Sequence, residues 1–179
     1  MTTSSVARLR ALPIVALVVV LGLTACSSSA SESTASTTSN PSASAFNGVL
    51  VSGALGSEPT FTIGDTTQGT SSLQIQDVVV GTGPAATPAD KVTVQYVARS
   101  AKTKKPFDSS WERGKTYSYD PTTIAFKAFT EGVPGMKVGG RRLVIVPGPL
   151  AYGPTPPPSL RLGANETLVF VIDLVSIDK

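Results

Sequence analysis

From Lys91 to Arg99 the chain alternates strictly: Val92, Val94, Tyr96 and Ala98 fall on one side of an extended strand, Thr93, Gln95 and Val97 on the other. A period of two is the signature of a strand with one face toward a core. Leu73 to Val80, Arg142 to Val146 and Thr167 to Ile177 read the same way, the last bringing Leu168, Phe170, Ile172 and Leu174 together. With 16 Gly and 14 Pro punctuating these runs, the connections are short, and four or five strands predict an antiparallel sheet. Only Thr123 to Glu131 suits a helix, because Ile124 with Ala128 and Ala125 with Phe129 stack at i, i+4, and Gly132 follows as a stop. One apolar sheet face and one short amphipathic helix predict an α+β fold with the helix laid across the sheet. Residues 46–72, with Val49, Leu50, Val51, Leu55, Phe61 and Ile63, are expected to add an edge strand or to dock loosely as a leader.

Several chemistries are excluded by what the chain lacks. Its 179 residues contain no histidine, so a Ser-His-Asp or Cys-His nucleophilic site cannot be assembled, and the commonest zinc ligand is missing. One cysteine permits neither an internal disulfide nor a CxxC metal knuckle. Neither a metal nor another cofactor is expected. The length fits one domain.

The first 25 residues have the layout of an export signal: a polar start with Arg8 and Arg10, an uncharged run from Ala11 to Ala25, then Cys26. Leu23-Thr24-Ala25-Cys26 resembles a bacterial lipobox, in which cleavage leaves the cysteine as a lipidated N-terminus. The run of 15 residues is short of the ~20 that a spanning helix needs. A chain beginning at Cys26 carries 13 basic and 12 acidic residues, since both arginines of the signal leave with it. A net charge of +1 gives nucleic-acid binding no electrostatic support. Between positions 27 and 45 the chain consists of nine Ser, three Thr, four Ala and one each of Glu, Asn and Pro, which cannot fill a core. Residues 26–47 are therefore expected to be a flexible tether, 48–72 an ambiguous leader or edge strand, and 73–179 the folded domain. The expected location is exported, lipid-anchored to the extracytoplasmic face of the cell membrane.

Four further stretches stand out: Tyr96 in V-Q-Y-V; Phe107-Asp108-Ser109-Ser110 with Arg113 beyond it; Glu131-Gly132-Val133-Pro134-Gly135-Met136-Lys137-Val138-Gly139-Gly140-Arg141-Arg142; and Leu150-Ala151-Tyr152-Gly153. With Thr167-Leu168-Val169-Phe170, in this order, they resemble the FK506-binding-protein (FKBP) family of peptidyl-prolyl cis/trans isomerases, in a secreted bacterial lipoprotein form of actinobacterial type. The resemblance spans about Leu73 to Lys179. It implies a curved antiparallel sheet wrapped around one short helix, with an apolar hollow between them.

Carried over by position, the resemblance nominates Tyr96, Phe107, Asp108, Tyr152 and Phe170 as catalytic. Arg113, Tyr117, Ala125, Phe126, Phe129 and Leu162 are nominated as substrate-binding, Ala125 through its backbone and Leu162 on a flap. Phe129 would be the floor for a proline ring, Phe107 and Phe170 the walls, and the Tyr152 hydroxyl the donor to a substrate carbonyl. Asp108 would be a buried acceptor paired with Arg113 and oriented by the Tyr96 hydroxyl. The implied partners are proline-containing exported polypeptides and macrolides such as tacrolimus or rapamycin, and a monomer is expected. The alternative is a module that binds proline segments as a chaperone with little or no turnover.

Taken singly, the same residues have plainer readings. Asp108 before two serines is the composition of a turn cap. Lys102, Lys104, Lys105, Arg141 and Arg142 read as solvated hairpin charges. The chain also departs from the family pattern in three places. Phe129, after Phe126, stands where the family has an indole; Tyr117-Ser118-Tyr119-Asp120 replaces Phe-x-Leu-Gly; and the loop after Tyr152 is proline-rich, Gly153-Pro154-Thr155-Pro156-Pro157-Pro158.

Overall fold

The computed structural model describes residues 44–178 except 68 and 70. The signal, Cys26 and most of the expected tether therefore lie outside the described residues, which all belong to one unit, Thr38–Lys179. Among the described residues, nine strands form two antiparallel sheets. The first contains β1 (Ser44–Phe46), β2 (Val49–Ser52) and β3 (Thr60–Ile63). The second runs in the order β4 (Gln74–Val79), β8 (Arg141–Val146), β9 (Leu168–Asp178), β5 (Lys91–Ser100), β6 (Pro106–Ser109), with β7 (Tyr117–Tyr119) paired to the other half of β5.

The register explains how this sheet serves two cores. Tyr96 lies beside Ile172 and Ile172 beside Arg142, while Val97, Val171 and Leu143 form the next row. Directly opposed residues share a face, so alternate rows face opposite ways. One core gathers Val92, Val94, Tyr96, Val144, Phe170 and Ile172 against Ala128 and Phe129 of the helix α1 (Lys127–Thr130). The other gathers Val97, Leu143, Ile145, Val169 and Val171 against Val49, Val51, Phe61 and Ile63 of the small sheet. The expectation of a single apolar face is thus corrected. Every residue of β8 is buried, and Leu168 to Leu174 forms a continuous apolar run broken only by Asp173, as strands covered on both sides require.

Residues 46–72 are consequently neither an edge strand of the main sheet nor a loose leader. They form most of a separate sheet on the back of the main one, and its first strand begins at Ser44, within the stretch read as tether. Asn47 and Gly48 connect β1 to β2 with φ of 46° and 76°, the two positive values a tight two-residue hairpin turn demands. Burying Val49, Val51, Phe61 and Ile63 contributes about 1.5–3 kcal/mol each, which favours docking of the small sheet over a solvated leader.

Arg141 and Arg142 are corrected as well. Only 1% of Arg141 and 7% of Arg142 is exposed. Arg141 makes a two-pronged pair with Asp173, Nε to Oδ1 at 2.6 Å and Nη2 to Oδ2 at 2.7 Å, and donates to the carbonyls of Gly53 and Ser57, both at 2.8 Å. It thereby ties the loop of the small sheet to the large one. Arg142, on the opposite face, bonds Asp77 at 2.7 and 3.1 Å and donates to Gly132 O and Pro134 O at 3.0 Å, satisfying carbonyls just beyond the helix.

The helix itself is shorter than the spacing predicts. Asp120 accepts from the Thr122 amide at 2.8 Å, and Thr123 N donates to Asp120 O at 3.0 Å, closing a turn rather than a helix start. Phe126 remains extended at φ −78°, ψ 117°, so only Lys127–Thr130 coil, and Ile124 and Ala125 stand outside. Gly132 is required for close approach: a Cβ there would lie 2.1 Å from Ala128 O and 3.0 Å from Val144 Cγ2.

Candidate functional site

A cavity of about 540 Å³ opens between the main sheet and the segment from Ile124 through α1. Ten of the residues nominated from the sequence line it: Tyr96, Phe107, Asp108, Arg113, Tyr117, Ala125, Phe126, Phe129, Tyr152 and Phe170. Leu162 does not. It lines a neighbouring hollow on the far side of Phe107, because the Pro158–Leu160 turn and Arg161 place it there. Ile124 lines the cavity and is missed by sequence reasoning, because its spacing suits a helix that in fact begins three residues later.

Strand register sets the geometry. Ala98 of β5 lies between Asp108 of β6 and Phe170 of β9 in one cross-sheet row, and its small side chain keeps that stretch free of bulk. Phe107 meets Phe170 edge-on at 6.0 Å, and Tyr96 meets Phe129 edge-on at 5.2 Å. Edge-to-face pairs at these separations add stabilisation beyond simple burial and fix the ring orientations. Phe129 forms the base of the cavity. Tyr117 lies 5.5 Å and Tyr119 5.1 Å from it, and the Tyr119 hydroxyl donates to Phe129 O at 3.2 Å. Tyr119 lines no part of the cavity, and sequence reasoning does not single it out. Its alternation with Tyr117 on β7, plus a phenol that needs a partner when buried, is the signal that could have found it.

At the rim, the Tyr96 hydroxyl donates to Asp108 Oδ2 at 2.5 Å, Arg113 Nη1 pairs with Asp108 Oδ1, and Arg113 Nη2 donates to the Tyr96 oxygen at 2.9 Å. The carboxylate is only half buried, with 34% of its side chain exposed and 40% of Arg113's, which corrects the expectation of a buried acceptor. Nor does Asp108 cap the turn behind it. Ser109 Oγ accepts from Glu112 N at 3.3 Å, and Ser110 Oγ accepts from Tyr96 N at 2.8 Å, so the serines hold the backbone and leave Asp108 to the phenol and guanidinium.

Burial first, then the bond to Asp108, pushes the Tyr96 phenol well above its ordinary 10.0, with Arg113 acting in the opposite sense. Burial, followed by the charges of Asp108 and Tyr117, raises Tyr152 as well. Both hydroxyls therefore keep their protons at neutral pH. Tyr96 spends its proton on Asp108, whereas the Tyr152 hydroxyl has no protein partner among the described residues and is free to donate into the cavity. Phe126 crowds that donor, its ring 5.1 Å from Tyr152 and 5.4 Å from Phe170.

The comparisons with known proteins agree on this region. The profile of the FKBP-type peptidyl-prolyl cis-trans isomerases matches residues 83–175. The chain is 45% identical over 104 residues to a "Probable FK506-binding protein" of Corynebacterium glutamicum, covering 58% of this chain and 86% of that protein. It is 39% identical over 108 residues to the FK506-binding protein of Streptomyces anulatus, covering 60% and 87%. The crystal structure of FkpA from Escherichia coli superposes with a TM-score of 0.54 at 32% identity, covering 62% of this chain and 50% of that one.

Proposed function

The chain belongs to the FKBP-type peptidyl-prolyl cis-trans isomerase family, and from that premise we propose that it turns X-Pro bonds of exported polypeptides at the outer face of the cytoplasmic membrane. The observation that carries the catalytic part is the aromatic cavity lined by two phenols, Tyr117 and Tyr152, whose hydroxyls have no protein partner among the described residues. Rotation about the peptide C–N bond is opposed by resonance, with a barrier of ~18–20 kcal/mol, and breaks no bond. It calls for no nucleophile or general base.

The twisted amide has lost its charge-separated resonance form and is less polar than either planar isomer. A pocket walled by Phe107, Phe129 and Phe170 strips water from the amide and penalises the planar ground state more than the twisted one, which is the differential effect catalysis requires. Phe129 supplies a seat for the proline ring, and Tyr152 donates to a substrate carbonyl. Asp108, held by Tyr96 and Arg113, presents a carboxylate oxygen toward the twisting bond. Together these contributions need to remove ~6–8 kcal/mol for an acceleration of order ten thousand to a million-fold.

Support for the location comes from the sequence alone: Arg8, Arg10, the apolar run and Cys26, followed by a segment too polar to fold by itself. Macrolides such as tacrolimus and rapamycin are proposed as competitors for the same cavity.

The test is magnetisation exchange between the cis and trans forms of a short prolyl peptide, with and without the protein at micromolar concentration. Faster exchange, abolished by excess tacrolimus, supports the reading; an unchanged rate sinks it. For the anchor, Cys26→Ala is expected to release the protein from the membrane fraction, and retention there overturns the lipidation. A second reading, a chaperone module that grips proline segments with little turnover, is favoured by one observation, the Phe126 ring packed against Tyr152. Peptide binding without accelerated exchange would establish it.

A further inference from the structure

Beyond Phe107 the aromatic cavity is followed by a second hollow of about 500 Å³, and Phe107 is a wall of both. A peptide lying across that ring in extended form, at ~3.3 Å per residue, enters the second hollow within a few residues of its proline. The chemistry there is different. Its charged lining consists of Lys105 and Arg161, accompanied by the hydroxyl-bearing Ser100, Thr103 and Ser159, with no carboxylate in the wall. Both cations are exposed, and among the described residues neither takes part in an ion pair, whereas Lys104, Arg113, Lys127, Arg141 and Arg142 all do.

Two stiff turns present these charges. On one side Ser100 N donates to Lys105 O at 3.0 Å, and Thr103 N to Ser100 Oγ at 2.8 Å. On the other, Pro156-Pro157-Pro158 leads into the turn Pro158–Leu160, and Arg161 is held in the left-handed region at φ 53°, ψ 35°. A non-glycine residue kept there is strained, and three consecutive prolines restrict the chain that carries it. The buried carboxylate of Glu166 joins the two turns from behind, accepting from the Ser100 hydroxyl and from Gly163 N. The backbone positions that carry the two cations are therefore set before any ligand arrives.

We propose that this hollow is a specificity subsite for an acidic side chain, Asp or Glu, within three residues of the substrate proline. The inference takes its substrate from the isomerase reading but rests on Lys105 and Arg161, on which that reading does not depend. Lys105 and Arg161 meet the carboxylate from two directions, with Arg161 able to offer a two-pronged contact. The proline-rich loop thereby serves to aim a guanidinium.

The experiment is a set of prolyl peptides carrying Glu, Gln or Lys at each of the three positions before and the three positions after the proline, with Ala at the others. Cis/trans exchange is measured by NMR, and affinity by chemical-shift titration, at low and high salt. At one or more positions the Glu peptide should exceed the Lys peptide about fivefold in kcat/KM and in affinity, with Gln between them. High salt should shrink the ratio. The double substitution Lys105→Gln with Arg161→Asn should bring it close to one, and Asn tolerates the left-handed backbone. A ratio near one at every position, or one that survives both salt and the double substitution, overturns the subsite. If no peptide exchanges faster, the isomerase reading fails, while the affinity ratios still decide the subsite.

Discussion

The Tyr119 hydroxyl donates to the main-chain oxygen of Phe129 at 3.2 Å, and the two rings stand 5.1 Å apart. Two departures from the family pattern thereby become one arrangement. Where an indole was expected, the smaller phenyl of Phe129 sits on a larger neighbour, because Tyr119 occupies the place of a leucine. Introducing the bulkier ring alone, Phe129→Trp, overfills the site and should cost about 1–3 kcal/mol. Adding Tyr119→Leu should recover at least half of that. Urea unfolding of the two single variants and the double variant measures the coupling, and additive losses would show that the two positions do not compensate.

Tyr152 and Asp108 should separate activity from stability. Tyr152→Phe removes one donor at the cavity edge and is expected to lower kcat/KM about tenfold, the worth of one hydrogen bond. Asp108→Val should lower it further, yet change stability by no more than about 1 kcal/mol, because the ion pair it breaks is more than one-third solvated. Peptide exchange rates and thermal unfolding on the same samples check both; full activity in both variants would remove these residues from the site.

At alkaline pH the tyrosines set a limit. Burial raises Tyr96, Tyr119 and Tyr152 above the ordinary phenol value of 10.0. Above pH 10 the unfolded chain loses these protons while the folded one keeps them, so the unfolded state binds fewer protons and stability falls as pH rises. The contribution is complete below 10 and is lost progressively above it. The phenolate absorbance of Tyr96, Tyr119 and Tyr152 should rise together with unfolding rather than before it. Tyr119→Phe should flatten the decline, and early, independent ionisation of Tyr96, Tyr119 and Tyr152 would contradict the burial.

Removing one partner of the Arg141–Asp173 pair should be costly. Asp173→Asn leaves a guanidinium that is 1% exposed without its counter-charge, a loss of about 3 kcal/mol or more. Asp77→Asn, opposite Arg142, should cost less, since 39% of the Asp77 side chain meets solvent. Denaturant midpoints of the two variants test the order.

How far the sequence could be read follows from which signals are local. Four strands of the main sheet, β4, β5, β8 and β9, were legible as apolar runs, with alternation plain at Val92, Val94 and Tyr96, whereas β6 and β7, three or four residues long, carry too short a pattern to read. The site was legible through the resemblance, since ten of the nominated residues face one cavity. The helix is overextended by the sequence pattern because i, i+4 spacing at Ile124 and Ala125 also fits a turn followed by an extended Phe126. Asn47-Gly48, flanked by alternating residues, is a hairpin signal obscured by the Ser-rich stretch beside it. The burial of Arg141 could not be read at all, because its partners Gly53, Ser57 and Asp173 are brought to it only by the packing of two sheets.

The small sheet also decides where this domain can be cut. The family likeness begins at residue 83, but a fragment trimmed to that point would leave Val97, Leu143, Ile145, Val169 and Val171 facing water with nothing laid over them. Such a strip is adhesive, and the trimmed protein would clump however intact its prolyl pocket. Recombinant work should start upstream of Ser44.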